Sequence, residues 1–215
     1  MAADRPKQYL PLAGRTVLEH SLDRLLNHPR ISGAVLAISS GDDYWPGLDY
    51  HPEKPLWLAA GGTERCHSVL NALAALSEHA AETDWVLVHD AARPCVRSGD
   101  VDRLLDACAQ HPVGGILAVP VKDTLKKAGP GGEIVETVDR ADLWHAQTPQ
   151  MFRLGELRAA LEQALAAQVL VTDEASALEC LGHKPLLVEG HADNLKITRP
   201  EDLALAEFYL RHARD

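Results

Sequence analysis

Apolar residues recur along the chain in two alternating rhythms. Between Thr16 and Leu26, the residues Val17, Leu18, Leu22, Leu25 and Leu26 fall at helical spacing and predict a helix. Ala34-Val35-Leu36-Ala37-Ile38 has no polar face and reads as a short buried strand, and Leu56-Trp57-Leu58 as another. Gly61-Gly62-Thr63-Glu64-Arg65 then leads into an amphipathic helix with an apolar stripe of Val69, Leu70, Leu73, Ala74 and Leu76. Thr63 is its expected N-cap. Trp85-Val86-Leu87-Val88 predicts a buried strand that ends in the loop His89-Asp90-Ala91-Ala92-Arg93-Pro94. A helix over 101–110 and a strand over 115–119 follow. The C-terminal third predicts helices over 154–168 and 173–181, a strand over 185–189 and a final helix. Thr198-Arg199-Pro200-Glu201-Asp202 marks the start of that helix, with Pro and acids in its first turn.

Alternating strands and helices imply one three-layer α/β domain over 1–215 with a mostly parallel sheet. Ligands in such folds sit at the carboxyl ends of the strands, where His89-Asp90 and Gly61-Gly62 fall. One stretch breaks the rhythm. Residues 121–140 read as strand, Gly129-Pro130-Gly131-Gly132 turn and strand, with flanks too polar to bury both faces. A lone hairpin is marginal in water. The stretch is therefore expected to be an arm that packs on something, and a second copy of the chain is the natural partner.

The composition suits a folded domain. The 215 residues are 46% hydrophobic and 24% charged. The formal net charge of −10 disfavours nucleic acid and anionic lipid as partners, yet a local cluster of Lys and Arg can still receive a small anion. Cys66, Cys95, Cys108 and Cys180 form no C-x-x-C pair and no zinc pattern, so they read as reduced thiols of a cytoplasmic protein. No apolar run is long enough to span a membrane and no secretory segment is visible.

The P-loop, G-x-G-x-x-G, H-E-x-x-H and G-x-S-x-G signatures are all absent. What remains are cations, hydroxyls and one acid near element ends: Lys7, Asp90, Arg93, Lys122, Thr124, Arg140, Lys196 and Thr198. Phosphate recognition uses this kit. Lys supplies a point charge, Arg a bidentate fork, and a single Asp can hold Mg²⁺ that keeps most of its waters. Each residue alone has an ordinary reading. Loop lysines are solvated, a strand-end Asp forms turns, and Arg140 can pair with Asp139 or Asp142.

Several stretches together resemble the 2-C-methyl-D-erythritol 4-phosphate cytidylyltransferase family. They are Arg5-Pro6-Lys7-Gln8-Tyr9, Gly61 through Val69, Val86 through Pro94 (VLVHDAARP), Val119 through Thr124, Thr137-Val138-Asp139-Arg140, Leu143 through Gln150 (LWHAQTPQ), Thr172 through Leu178 (TDEASAL) and Asp193 through Leu205. They come in the family's order and cover nearly the whole chain. The resemblance implies a Rossmann-like nucleotidyltransferase fold with a protruding hairpin arm. It also implies that a strand and a glycine-rich loop of the type A-A-G-x-G-x-R-M, with a catalytic Arg, precede Met1 in the complete enzyme. Met1 itself matches the Met of that loop.

Carried over by residue, the resemblance makes Lys7, Arg140 and Lys196 catalytic. Lys7 stabilises charge at the α-phosphate of CTP, and Arg140 and Lys196 aim the acceptor phosphate. Gly62, Thr63 and Ser68 hold cytosine and ribose, with Asp90, Ala91 and Arg93 beside the nucleotide. The family commonly has Asp where Thr63 stands. Thr124, Arg140, Thr172 and Lys196 bind the sugar-alcohol phosphate, and Asp90 holds Mg²⁺. The arm reaches a partner in a homodimer, so Thr124 and Arg140 serve the neighbour's site. A cytidylyltransferase for another polyol phosphate, such as ribitol 5-phosphate, would share the CTP side. A nucleotide-binding scaffold without the glycine-rich loop is the non-enzymatic rival.

Overall fold

In a computed structural model that describes residues 5–212, strands and helices follow one another as β1 (Pro11–Leu12), β2 (Arg15–Thr16), α1 (Val17–Leu26), β3 (Ala34–Ile38), β4 (Leu56–Ala60), α2 (Arg65–Leu76), β5 (Trp85–Val88) and α3 (Ser98–Ala109). Then come β6 (Gly114–Pro120), β7 (Leu125–Ala128), β8 (Ile134–Val138), β9 (Trp144–Arg153), α4 (Leu154–Ala166), α5 (Glu174–Cys180), β10 (Leu186–Glu189) and α6 (Pro200–His212). Met1, compared above with the Met of a glycine-rich loop, lies outside the described residues.

The central sheet has the order β10-β6-β9-β5. β10 pairs parallel with β6, but β9 enters between β6 and β5 and runs antiparallel to both. The sheet is therefore mixed, not mostly parallel. The sequence hides β9 because its buried positions include Gln147, Thr148 and Gln150, which carry no hydrophobic signal. Partners elsewhere in the chain satisfy them. Gln150 Nε2 donates to Asp173 Oδ2 at 2.9 Å and its Oε1 accepts from Ala175 N at 2.9 Å, while Asn194 Nδ2 donates to the Thr148 carbonyl at 2.8 Å. A buried polar group is tolerated when it is paired.

Each face of this sheet carries its own core. Val69 and Leu73 of α2, Leu157 and Leu161 of α4 and Leu178 of α5 bury Val86, Ile116 and Phe152 on one side. On the other side, Val101, Leu104 and Cys108 of α3 cover Leu117 and Met151. Three layers result, as the alternation predicts. β3 and β4 form a separate parallel pair. A cleft of about 910 Å³ lies between β3 and β5, with Val35, Leu36, Val86 and Val88 on its walls.

Local chemistry fixes the element ends. Thr16 and Glu19 form a capping box at the start of α1, as Asp173 and Ser176 do for α5. The N-cap of α2 is Glu64, not Thr63. Thr63 Oγ1 instead meets His67 Nδ1 at 3.1 Å, and the Glu64 side chain makes no capping bond. Gly114 has φ +110°, and a Cβ there would stand 2.1 Å from the Met151 carbonyl oxygen, so only glycine lets β6 begin against β9.

The hairpin exists, with β7 and β8 antiparallel around Gly132, whose φ is +84°. Its first strand begins at Leu125, not Val121. Val121 is buried and donates its N–H to the Leu143 carbonyl, so 121–124 belongs to the base and not to the strand.

Candidate functional site

The loop after β5 carries Asp90 to the mouth of the cleft, and five distant stretches meet there. Arg65, the first residue of α2, donates from Nε to Asp90 Oδ1 at 3.0 Å. Lys196 Nζ lies 2.8 Å from Asp90 Oδ2, and Arg93 Nε lies 3.7 Å from the same oxygen. Arg65 in turn grips Glu174 of α5 with both terminal nitrogens, at 2.6 and 2.9 Å. Lys7 lines the same cleft beside Asp90 and Lys196.

The backbone of the loop is fixed as firmly as the carboxylate. Asp90 N–H donates to Thr148 Oγ1 at 3.0 Å, and that oxygen lies 3.0 Å from His89 Nδ1. His89 Nε2 reaches the Arg93 carbonyl at 3.0 Å. A carbonyl can only accept, so Nε2 carries the hydrogen and Nδ1 accepts from the Thr148 hydroxyl. Arg93 Nη1 donates to the Asn194 carbonyl at 2.6 Å, which ties this loop to the segment that bears Lys196.

Electrostatics follow from this packing. Burial alone would raise the Asp90 carboxyl, but Arg65 and Lys196 override it and hold Asp90 well below the usual carboxylate range. Burial pushes Glu174 up against the opposing pull of Arg65. Both Glu174 oxygens nonetheless accept from one guanidinium, so the pair stands as an ion pair. Burial and the neighbouring Lys196 lower Lys7, with Asp90 working the other way. Burial lowers Arg93 as well, and it pushes His89 down to about 4, so His89 is neutral at pH 7. Four cations, Lys7, Arg65, Arg93 and Lys196, thus surround two carboxylates, Asp90 and Glu174. The mouth of the cleft is positive although the chain carries −10.

Most of the other expected positions are near this cluster along the chain. Gly62 N donates to Ser68 Oγ at 2.9 Å, which ties the loop carrying Gly62 and the exposed Thr63 to the first turn of α2. The Ala91 carbonyl accepts from Ser21 Oγ at 2.8 Å, which anchors the Asp90 loop to α1. Thr172 is exposed two residues before Glu174, with its N–H on Ser176 Oγ at 3.2 Å. Arg140 and Thr124 do not join. Both are exposed at the base of the arm, and Arg140 donates to the Lys122 carbonyl. Neither lines the cleft or contacts Asp90, Lys7 or Lys196. The convergence of Lys7, Arg140 and Lys196 expected from the sequence therefore holds for the two lysines only within one chain.

Three residues of the cluster escaped the sequence reading: Arg65, Glu174 and Thr148. All lie inside stretches that carry the resemblance, GGTER, TDEASAL and LWHAQTPQ. An acid in the first turn of a helix normally faces solvent. Glu174 is 1% exposed and pairs across 109 residues, which no local pattern encodes. Among the described residues, Glu64, Cys66 and His67 bring ligand-type atoms within 4.8 Å of one another, apart from Asp90.

The sequence model of 2-C-methyl-D-erythritol 4-phosphate cytidylyltransferase matches residues 1–212. The enzyme of that name from Pseudomonas putida (strain GB-1) is 58% identical over 204 residues, covering 94% of this chain and 87% of the relative. The Pseudomonas aeruginosa enzyme is 59% identical with the same coverage. A crystal structure of 4-diphosphocytidyl-2C-methyl-D-erythritol synthase superposes with TM-score 0.85 at 43% identity, covering 95% of this chain and 94% of the other. The Francisella tularensis 2-C-methyl-D-erythritol 4-phosphate cytidylyltransferase superposes with TM-score 0.83 at 38% identity, covering 96% and 94%. On sequence and on fold alike, this chain belongs to the 2-C-methyl-D-erythritol 4-phosphate cytidylyltransferase family.

Proposed function

We propose that the protein joins CTP to 2-C-methyl-D-erythritol 4-phosphate, giving 4-diphosphocytidyl-2-C-methyl-D-erythritol and pyrophosphate, in isoprenoid precursor synthesis. A phosphate oxygen of the acceptor attacks the α-phosphorus of CTP. One P–O bond forms, the α–β bridging P–O bond breaks, and its electrons leave with pyrophosphate. The nucleophile is already an anion and needs no general base. The obstacle is repulsion, about 4 kcal/mol for two unit charges 4 Å apart at an effective dielectric near 20. The observation that carries the reading is the pair Lys7 and Lys196 flanking one Asp90 at the cleft mouth.

Within this reading, Lys7 neutralises charge that develops at the α-phosphate and on the leaving group. Lys196 exchanges its contact with Asp90 for the acceptor phosphate. Gly62, Thr63, Ser68, Ala91 and Arg93 hold the nucleotide, and Thr172 the acceptor. Asp90 is ionised at neutral pH and would offer Oδ2 to a magnesium ion shared with substrate phosphates and water once Lys196 has left that oxygen. When bound, that ion supplies further neutralisation of the triphosphate. Thr124 and Arg140 act on the neighbour's site in a homodimer. Support comes from Ile134 and Val135, apolar and 68% and 61% exposed on the arm, a surface that a second copy would cover. No helix among the described residues is long and apolar enough to cross a membrane. With four free thiols and a net charge of −10, the protein fits the cytoplasm and no nucleic-acid partner.

Side-by-side turnover of the full-length protein with CTP and either 2-C-methyl-D-erythritol 4-phosphate or ribitol 5-phosphate tests the reading. Pyrophosphate release and a cytidylylated product are expected with the first acceptor. Preference for ribitol 5-phosphate, or no product with either, overturns it.

A further inference from the structure

The Arg65–Glu174 pair has no place in the reaction above, yet it is the most tightly built contact at the site. Glu174 is 1% exposed and accepts from both ends of the guanidinium. Burying such a pair is costly, and a helix start on the surface would have needed neither residue. The remaining guanidinium nitrogen, Nε, is aimed at Asp90 Oδ1, the oxygen that Lys196 does not use. Asp90 is thus shared between a cation that is locked in place and one that is not. Lys196 has a 37% exposed side chain.

We infer that Arg65 is a positioning residue that acts through Asp90 to weaken Asp90's hold on Lys196, so that Lys196 is free to move to an acceptor phosphate. Two cations on one carboxylate repel each other, and each lowers the other's attraction to it. Arg65 cannot yield, because Glu174 holds it. Arg93, 3.7 Å from the same carboxylate, is tied to the Asn194 carbonyl, so Lys196 is the cation left to respond. Glu174 also keeps Arg65 itself from being drawn to an incoming phosphate, since the fork is already filled. Without Arg65, Lys196 carries a larger share of the Asp90 charge, with the more distant Arg93 Nε at 3.7 Å as the other cation, and the exchange that acceptor binding demands becomes harder. The inference rests on the assignment of Lys196 to the acceptor phosphate.

The experiment uses steady-state kinetics at saturating CTP together with thermal unfolding, on Arg65→Gln, the double variant Arg65→Gln/Glu174→Gln, and Lys196→Ala alone and combined with that double variant. Arg65→Gln leaves Glu174 buried without its partner and is expected to unfold at a lower temperature. The double variant removes both charges and keeps an amide contact in their place, which restores the melting temperature. Its KM for the acceptor nevertheless stays raised by about tenfold, within the range for charged side chains of one network, while kcat changes little. In the Lys196→Ala background, the double variant adds no further rise in KM. Recovery of KM along with stability in the double variant overturns the inference, because Arg65 would then be structural only. So does an undiminished KM effect in the Lys196→Ala background. An unchanged acceptor KM in Lys196→Ala alone is a different result: it removes Lys196 from the acceptor site, and the inference falls with that assignment.

Discussion

The hydroxyl of Thr148 receives the backbone N–H of Asp90 at 3.0 Å, so a residue of β9 fixes the loop that follows β5. The hydrogen of that hydroxyl goes to His89 Nδ1, a bond that only the neutral ring can accept.

This gives a pH dependence with a definite sign. The folded-state pKa of His89 is depressed to about 4, against an ordinary value near 6.5. Between those values the unfolded chain binds a proton that the native site refuses. Stability is therefore full above the ordinary value and declines as pH falls towards 4, by about 3 kcal/mol from this group. Urea midpoints measured across that range should fall steeply for the wild type. His89→Gln, which keeps hydrogen-bonding capacity without titrating, should lose this component of the slope.

Lys7 and Lys196 are expected to separate in kinetics. Lys7→Ala removes a charge needed as the α-phosphate is attacked, so kcat should drop ~10²–10³-fold, with little change in KM for the acceptor. Lys196→Ala should act mainly on acceptor KM. Equal effects of both variants on one parameter would argue that the two lysines hold the same phosphate.

The arm allows a subunit-mixing test. If Arg140 serves the neighbour's site, a dimer of one Arg140→Ala chain with one Lys196→Ala chain contains one wild-type site. Random mixing should then restore about a quarter of wild-type activity, because two-fold symmetry pairs each arm with the other chain's site. With acceptor held well below the raised KM of both parents, so that each alone turns over little, no gain on mixing would place Arg140 in its own chain's reaction. Ile134→Glu should reduce dimer content in sedimentation velocity.

Core packing is a fourth test. Phe152 of β9 is fully buried between α2, α4 and β6. Phe152→Ala should lower unfolding free energy by about 3–5 kcal/mol, read from chemical denaturation.

The sequence announces elements whose burial is mainly apolar. β5, with Trp85-Val86-Leu87-Val88, and α1, with its Thr16–Glu19 box, form where the pattern places them. It conceals elements buried through polar contacts. β9 has Gln147, Thr148 and Gln150 inside, satisfied by Asn194, Asp173 and Ala175, and so looks like a loop. The site divides the same way. Lys7, Asp90, Arg93 and Lys196 stand out as charges at element ends. Arg65 and Glu174 become meaningful only once α2 and α5 are folded side by side.

The placement of β9 also bears on how the chain is made. Among the described residues, β5 has β9 as its sole ladder partner, and β6 pairs only with β9 and β10. During vectorial synthesis, a nascent chain that has not yet released Arg153 from the ribosome therefore lacks the strand that joins β5 to β6, and lacks Leu157 and Leu161 of α4, which complete the cover of Val86 and Ile116. The two β9 ladders close only after most of the described residues have been made, and co-translational chaperones have a long interval in which to find those strand edges.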